Sequence, residues 1–126
     1  MKYIFLLLAA ALVFSSAQAQ DDADMIQVLP PDAQDCVLPA SPDAIPEEAS
    51  YDDLVEAKKQ IATFQGDIQV FRDCLKAAEE NPDNTTGNKA AIVASFNYSV
   101  EMEERIAERF NVAVRGYKER KAAAEG

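Results

Sequence analysis

Apolar residues recur at alternating steps of three and four between residues 54 and 78, and this periodicity constrains the fold more than any other feature. The stripe consists of Leu54, Ala57, Ile61, Phe64, Ile68, Phe71, Leu75 and Ala78. Such spacing places side chains on one face of an α-helix and is typical of a heptad seam that packs against another helix. Ser50 is a good N-cap with acids after it, and Asn81-Pro82 ends the pattern. We therefore predict a helix over about residues 51–80.

A second apolar stripe follows a polar turn over residues 82–88, which contains Gly87. Its members are Ile92 or Val93, Phe96, Val100, Ile106 or Ala107, Phe110, Ala113 or Val114, and Tyr117. Glu103 interrupts this stripe. We predict a second helix over about residues 89–124. Two heptad helices joined by a short turn should pack as an antiparallel, coiled-coil-like hairpin, so the expected fold over residues 51–124 is all-α.

Asn97 and Asn111 lie beside the second stripe, fourteen residues apart. Two interpretations are open. Their amides either form hydrogen bonds on the flank of the helix, or they set the register between the two helices.

The segment before the helices has a different composition. Residues 20–49 contain eight Asp or Glu and no Lys or Arg, and five of the six prolines lie within residues 30–46. Proline removes backbone donors and restricts φ, which disfavours a long helix or a central strand. We predict an acidic disordered tail over residues 20–35 and a Pro-rich extended segment over residues 36–50. The apolar side chains Val37, Leu38 and Ile45 indicate that the second segment is docked.

The first residues are typical of an export signal. Lys2 precedes an apolar run from residue 4 to residue 14, and Ala17-Gln18-Ala19 places small residues where a signal peptidase cuts. The alternative is a membrane anchor, but the run is about half of the ~20 apolar residues that a spanning helix needs. We predict a signal peptide over residues 1–19, cleaved after Ala19, and no transmembrane segment in the mature chain.

Cys36 and Cys74 are the two cysteines of the chain, and in an exported protein such a pair predicts a disulfide bond. Fourteen residues separate Cys36 from Ser50, or ~43 Å of polyproline-like chain. Helix of ~36 Å separates Ser50 from Cys74. The lengths match if the Pro-rich segment runs antiparallel to the first helix and is pinned to it at Cys74. Redox chemistry is the alternative, but the pair forms no Cys-x-x-Cys motif.

Composition excludes several kinds of chemistry. The chain has no His and two Cys, so it lacks the residues of Ser-His-Asp and Cys-His sites and of common zinc sites. Its net charge of −10 disfavours binding to nucleic acid. The turn over residues 81–87 has oxygen ligands but lacks the order of a calcium loop. We expect a protein that is not an enzyme, with no cofactor and no metal.

The C-terminal part of the second helix is locally basic. Basic residues near a helix C-terminus interact favourably with the negative end of the helix dipole, and they also solvate the outer face of the helix. The alternative is a contact patch for anionic envelope components, for an acidic partner or for the acidic tail of the chain itself. The residues of this candidate patch are Arg115, Tyr117, Lys118, Arg120 and Lys121.

Three groups of residues together resemble a set of uncharacterised small exported proteins of alphaproteobacteria. They are the run Cys36-x-x-Pro39-x-x-Pro42-x-x-Ile45-Pro46, the run Phe71-x-x-Cys74-Leu75, and Phe110-Asn111 followed by Arg115-x-Tyr117-Lys118. The resemblance covers about residues 36–121. It implies a periplasmic location and a helical hairpin, and it carries no catalytic or binding residues.

Two functions are consistent with these features. The first is a structural or protein-interaction module that presents a heptad helical face to a second copy, as a homodimer, or to another envelope protein. The alternative is binding of an anionic envelope surface or polyanion through the basic C-terminal patch.

Overall fold

The computed structural model describes residues 22–126, and three helices of this range are numbered here: α1 (Pro31–Gln34), α2 (Tyr51–Glu79) and α3 (Thr86–Glu125). Residues 22–126 contain no β-strand, and α2 and α3 pack against each other. The prediction of an all-helical fold with two long helices is therefore confirmed. The signal peptide predicted over residues 1–19, with cleavage after Ala19, lies outside the described residues.

Helix α2 begins at a reciprocal cap. The Ser50 hydroxyl oxygen accepts a hydrogen bond from the Asp53 amide at 3.1 Å, and the Asp53 carboxylate accepts one from the Ser50 amide at 2.8 Å. The same carboxylate accepts a bond from the Ser50 hydroxyl at 2.9 Å. These bonds satisfy amides that the first turn leaves without helical partners, and they lower the pKa of Asp53. The helix ends at Glu79, just before Asn81-Pro82.

Helix α3 begins at Thr86, three residues before the predicted start. Thr85 and Asn88 form a second reciprocal cap, with bonds of 3.0 and 2.9 Å between side chain and backbone. Gly87 is consequently a buried residue of the first helical turn, and its assignment to the polar turn was wrong. The backbone of Ile26 crosses so close to Gly87 that a Cβ there would collide with the Ile26 carbonyl. Glycine is needed here for close approach of two chain segments.

The core lies between α2 and α3. Six of the eight residues in the first predicted stripe are buried, namely Leu54, Phe64, Ile68, Phe71, Leu75 and Ala78. Ile92 and Ile106 of α3 and Ala33 of α1 complete the main cluster of buried side chains. The two remaining stripe residues, Ala57 and Ile61, are only half-buried. The stripe is thus buried at Leu54 and again from Phe64 to Ala78, and it is partly open to solvent at Ala57 and Ile61.

A polar network connects the two long helices. The Arg72 side chain donates a hydrogen bond to the Ser99 hydroxyl at 2.9 Å and forms a 3.1 Å ion pair with Glu103. Ser99 is completely buried, and its hydroxyl donates to the Phe96 carbonyl at 2.6 Å. Glu103 therefore interrupts the apolar stripe of α3 because it pairs with a cation of α2.

Asn97 and Asn111 are exposed. Of the two interpretations of these residues, a position on the helix flank agrees with this exposure. The polar groups that lie between the helices are those of the Arg72 network.

The segment before the disulfide differs from the predicted disordered tail. Residues 31–34 form the short helix α1, which begins with proline at its first position, where proline is tolerated. Ala33 of this helix is buried in the core cluster, and Leu29 packs against the same cluster. The Asn88 side chain donates to the Val28 carbonyl at 2.8 Å, and the Asn81 side chain donates to the Asp32 carboxylate at 3.0 Å. The composition argument was wrong for this stretch because a few apolar side chains are enough to dock it.

A disulfide joins Cys36 to Cys74, with 5.6 Å between the Cα atoms. This prediction is confirmed. Residues 36–50, which we call the Pro-rich segment, contain neither helix nor strand. They contact the helices at two further places. Asp43 forms two hydrogen bonds with Gln60 of α2, and the guanidinium of Arg120 in α3 donates to the Glu47 and Ala49 carbonyls at 3.3 and 2.8 Å.

Candidate functional site

A groove with a volume of about 510 Å³ lies between the Pro-rich segment and the two long helices. Residues 41–47 of the Pro-rich segment form one wall. Helix α2 contributes Ala57 and Ile61, and helix α3 contributes Ile106, Glu108, Arg109, Val112, Ala113 and Gly116. The volume is in the range of ligand-binding pockets, and the lining is mostly apolar. We therefore take this groove as the candidate functional site.

The groove exists because small residues occupy facing positions. Ala57 replaces a large residue in the stripe of α2, and Ala113 and Gly116 lie on the α3 side of the same space. Alanine and glycine cannot fill the distance between two helices as leucine does, so the helices leave a gap there. Val112 on the α3 wall is 52% exposed, although it is a large apolar residue. The space between α2 and α3 is thus open to solvent at this point.

The Pro-rich wall is held in place by three sets of contacts. The disulfide at Cys36 secures its beginning, and Asp43 is bonded through both its amide and its carboxylate to Gln60, at 3.1 and 3.3 Å. Arg120 binds the Glu47 and Ala49 carbonyls near its end. Such anchoring positions the wall before any ligand arrives, which reduces the entropy lost on binding.

Four charged residues line the groove. Asp43 and Glu47 lie on the Pro-rich wall, and Glu108 and Arg109 lie on the α3 wall. Glu108 forms a 3.3 Å ion pair with Arg115, and both side chains are largely exposed. Within residues 22–126, no ion pair uses Asp43, Glu47 or Arg109.

The basic C-terminal residues do not form one open patch. Arg120 is half-buried and binds backbone carbonyls of the Pro-rich segment, and Arg115 pairs with Glu108. Tyr117 packs against Tyr51 with 6.4 Å between the ring centroids. Lys118 and Lys121 are exposed. Part of the predicted patch thus has a structural use that the sequence pattern did not indicate.

The polar residues of the turn also have structural partners. The side-chain Oδ1 of Asn81 accepts from the Asp83 amide at 3.0 Å, and the Asn84 side chain donates to the Ala78 carbonyl at 2.8 Å. In the range 22–126 no three acidic or cysteine side chains are grouped as metal ligands. No helix of this range has the length and apolarity to cross a membrane.

Sequence reasoning missed the groove. The signal that could have revealed it is the alanine at position 57, between bulky stripe residues on either side, together with Ala113 and Gly116 one helical turn apart. It named Arg120 as a member of a basic patch but missed its bonds to the Pro-rich segment, because a basic residue near a helix C-terminus already has an ordinary explanation.

Comparison of the chain with protein-family models, with curated proteins and with solved structures found no match.

Proposed function

We propose that this chain is a small exported, periplasmic protein without enzymatic activity, and that it acts as a protein-interaction module. Its groove holds an apolar segment of another envelope protein. The observation that carries this proposal is the opening of the apolar stripe at Ala57 and Ile61, where the Pro-rich segment and α3 form two further walls. The proposal keeps an interaction role and replaces the heptad face, most of which is buried, by the groove.

The proposed architecture is an antiparallel, coiled-coil-like hairpin with the Pro-rich segment lying along the first helix as an extended strand. Contacts in opposite sequence order support it: Tyr51 packs on Tyr117, and Arg72 bonds to Ser99. The Pro-rich segment contacts α2 first at Cys74 and then at Gln60, which supports the antiparallel course of that segment.

Export and a periplasmic location are supported by the disulfide, which persists in oxidising compartments. The signal-peptide pattern of residues 1–19 supports the same location.

A partner protein is favoured over a second copy of the chain. The protein carries a net charge of −10, so two copies repel each other as they approach. A partner protein is also favoured over an anionic envelope surface, because Arg115 and Arg120 of the basic patch already have partners within the molecule.

The test is photo-crosslinking in intact cells that produce the protein. A photoreactive residue is placed at Val112, on the wall of the groove, and in a matched variant at Val70, which is 69% exposed on α2 and does not line the groove. We expect one reproducible adduct from position 112 and none of the same mass from position 70. The adduct should disappear when Ala113→Phe fills the groove in a chain whose helix content is unchanged.

Equal adducts at both positions would contradict the proposal, and so would an adduct that survives Ala113→Phe. An adduct with the mass of two copies of the chain would replace the partner protein by a homodimer.

A further inference from the structure

The charge of the groove walls is uneven. The Pro-rich segment contains Asp43, Glu47 and Glu48 and no Lys or Arg, so its wall presents only negative charge. On the opposite wall, Glu108 pairs with Arg115, whereas Arg109 forms no ion pair within residues 22–126. The Arg120 guanidinium lies beside Gly116, at the end of the groove where it binds the Glu47 carbonyl. An approaching ligand therefore meets an acidic wall on one side of an apolar floor.

The carboxylates of the acidic wall are held where a ligand can reach them. Asp43 is fixed by its two bonds to Gln60, and the backbone of Glu47 is fixed by Arg120. Both residues are exposed, and neither has a cationic partner among the residues described. Because their position is set before binding, a cation on the ligand can pair with them at little conformational cost.

The backbone of the same wall favours a peptide over a lipid. Ala44 and Ile45 line the groove, and their amides take part in no hydrogen bond within residues 22–126. A peptide main chain offers carbonyls to such amides, as in recognition of extended segments by exposed backbone edges. An acyl chain offers none. The acidic wall also repels the anionic headgroups and carboxylates of most envelope lipids.

We infer that the occupant of the groove is an extended peptide segment of a partner protein, with apolar side chains in its centre and Lys or Arg beside them. This inference rests on the proposed function of the groove and adds the chemistry that selects the partner. The apolar centre lies on Ala57, Ile61 and Val112, and the basic residues pair with Asp43 and Glu47. The net charge of −10 adds long-range attraction for a basic segment.

The experiment compares three pools of fluorescent peptides that share an apolar centre and carry Lys, Gln or Glu on both sides. Binding to the oxidised protein is measured by fluorescence anisotropy at low and at physiological salt. We expect the Lys pool to bind about tenfold more tightly than the Gln pool, which is the scale of two exposed charge pairs, and the Glu pool to bind least. The preference should shrink as salt rises.

Two variants make the result specific. Asp43→Asn with Glu47→Gln should remove most of the preference for Lys, so that the Lys and Gln pools bind this variant with similar affinity. The control variant Glu79→Gln with Asp83→Asn makes the same change in net charge and should keep the preference for Lys. Its first substitution lies about 27 Å from Ile61, as the helical rise between residues 61 and 79 shows. Ala113→Phe should abolish binding of all three pools.

The outcomes separate this inference from the proposed function. Equal binding of all pools, lost in Ala113→Phe, would overturn the basic partner and leave the groove as a binding site. Tighter binding of the Glu pool than of the Lys pool would overturn the inference in favour of an anion held by Arg109. Displacement of the peptides by a fatty acid would overturn it in the same way. Binding that Ala113→Phe does not change would overturn both.

Discussion

Removal of the disulfide should cost this protein a large share of its stability. Cys36 and Cys74 are 38 residues apart, and the loop that they close contains the whole Pro-rich segment and most of α2. In the oxidised protein the unfolded chain is restricted by this loop, whereas in the variant Cys36→Ala/Cys74→Ala it is not. The folded state changes little, because alanine is tolerated in α2 at position 74 and both cysteines are only partly buried.

The size of the effect follows from the length of the loop. The chain-entropy relation for a loop of 38 residues gives about 4 kcal/mol at room temperature. For a domain of about 100 residues, each kcal/mol corresponds to a shift of about 4 °C in the melting temperature. We therefore expect the midpoint of thermal unfolding to fall by about 15 °C. The m-value should rise, because an unfolded chain without the crosslink exposes more surface.

The assay is urea unfolding followed by circular dichroism, with the oxidised wild type and the double alanine variant side by side. A reductant serves as the control, since it should shift the wild type to the variant's midpoint and leave the variant unchanged. A loss of less than about 1 kcal/mol with an unchanged m-value would refute the reasoning. It would mean that the segment before residue 51 detaches separately from the helix pair and that the loop is not part of one cooperative unit.

Three further changes test individual contacts. Gly87→Ala should destabilise the folded protein by about 1–3 kcal/mol and raise the rate of hydrogen exchange in residues 26–30, because a Cβ at position 87 collides with the Ile26 backbone. Without that collision alanine would stabilise the helix, so a higher urea midpoint in the variant would contradict the contact. A double-mutant cycle with Arg72→Met and Glu103→Gln should give a coupling free energy of about 1 kcal/mol in urea unfolding. Zero coupling would show that this ion pair does not stabilise the fold. Asp53→Asn should lower stability at neutral pH, and the deficit should shrink as the pH falls below about 4. The sign follows from the pKa of Asp53, because its hydrogen bonds to Ser50 lower this pKa in the folded state. The stabilisation is therefore present above the unfolded-state pKa and is lost as the pH falls through the folded-state pKa. A deficit that stays constant in acid would contradict it.

The two long helices were predictable because their signals are local. An N-cap serine, an uninterrupted stripe and a proline after the last turn act within a few residues of one another, and each is written in the chain. The disulfide was predictable for a different reason. Two chain lengths, one extended and one helical, had to agree, and that agreement depends only on residue counts.

The remaining features depend on contacts between distant residues. Glu103 interrupts its stripe in the sequence, and only the position of Arg72 on the other helix explains why a carboxylate is tolerated there. Residues 20–35 contain five Asp and two Pro, yet Ala33 is buried because it packs into the cluster formed by α2 and α3. Composition describes the average tendency of such a segment and not the few apolar side chains that decide whether it docks.

The apolar stripe of α2 is buried at some positions and lines the open groove at others. Phe64, Ile68 and Leu75 are buried and close the helix pair near the disulfide, whereas Ala57 faces a space that a leucine would fill. Filling such a space normally adds stability, and the open groove forgoes it. The Pro-rich segment is the third wall of that space, and its anchors at Cys36 and Arg120 lie on either side of it. Asp43 already stabilises the fold through its bonds to Gln60, whereas the Glu47 carboxylate has no partner within residues 22–126 at the edge of an apolar floor, and this free carboxylate favours a binding role for the wall.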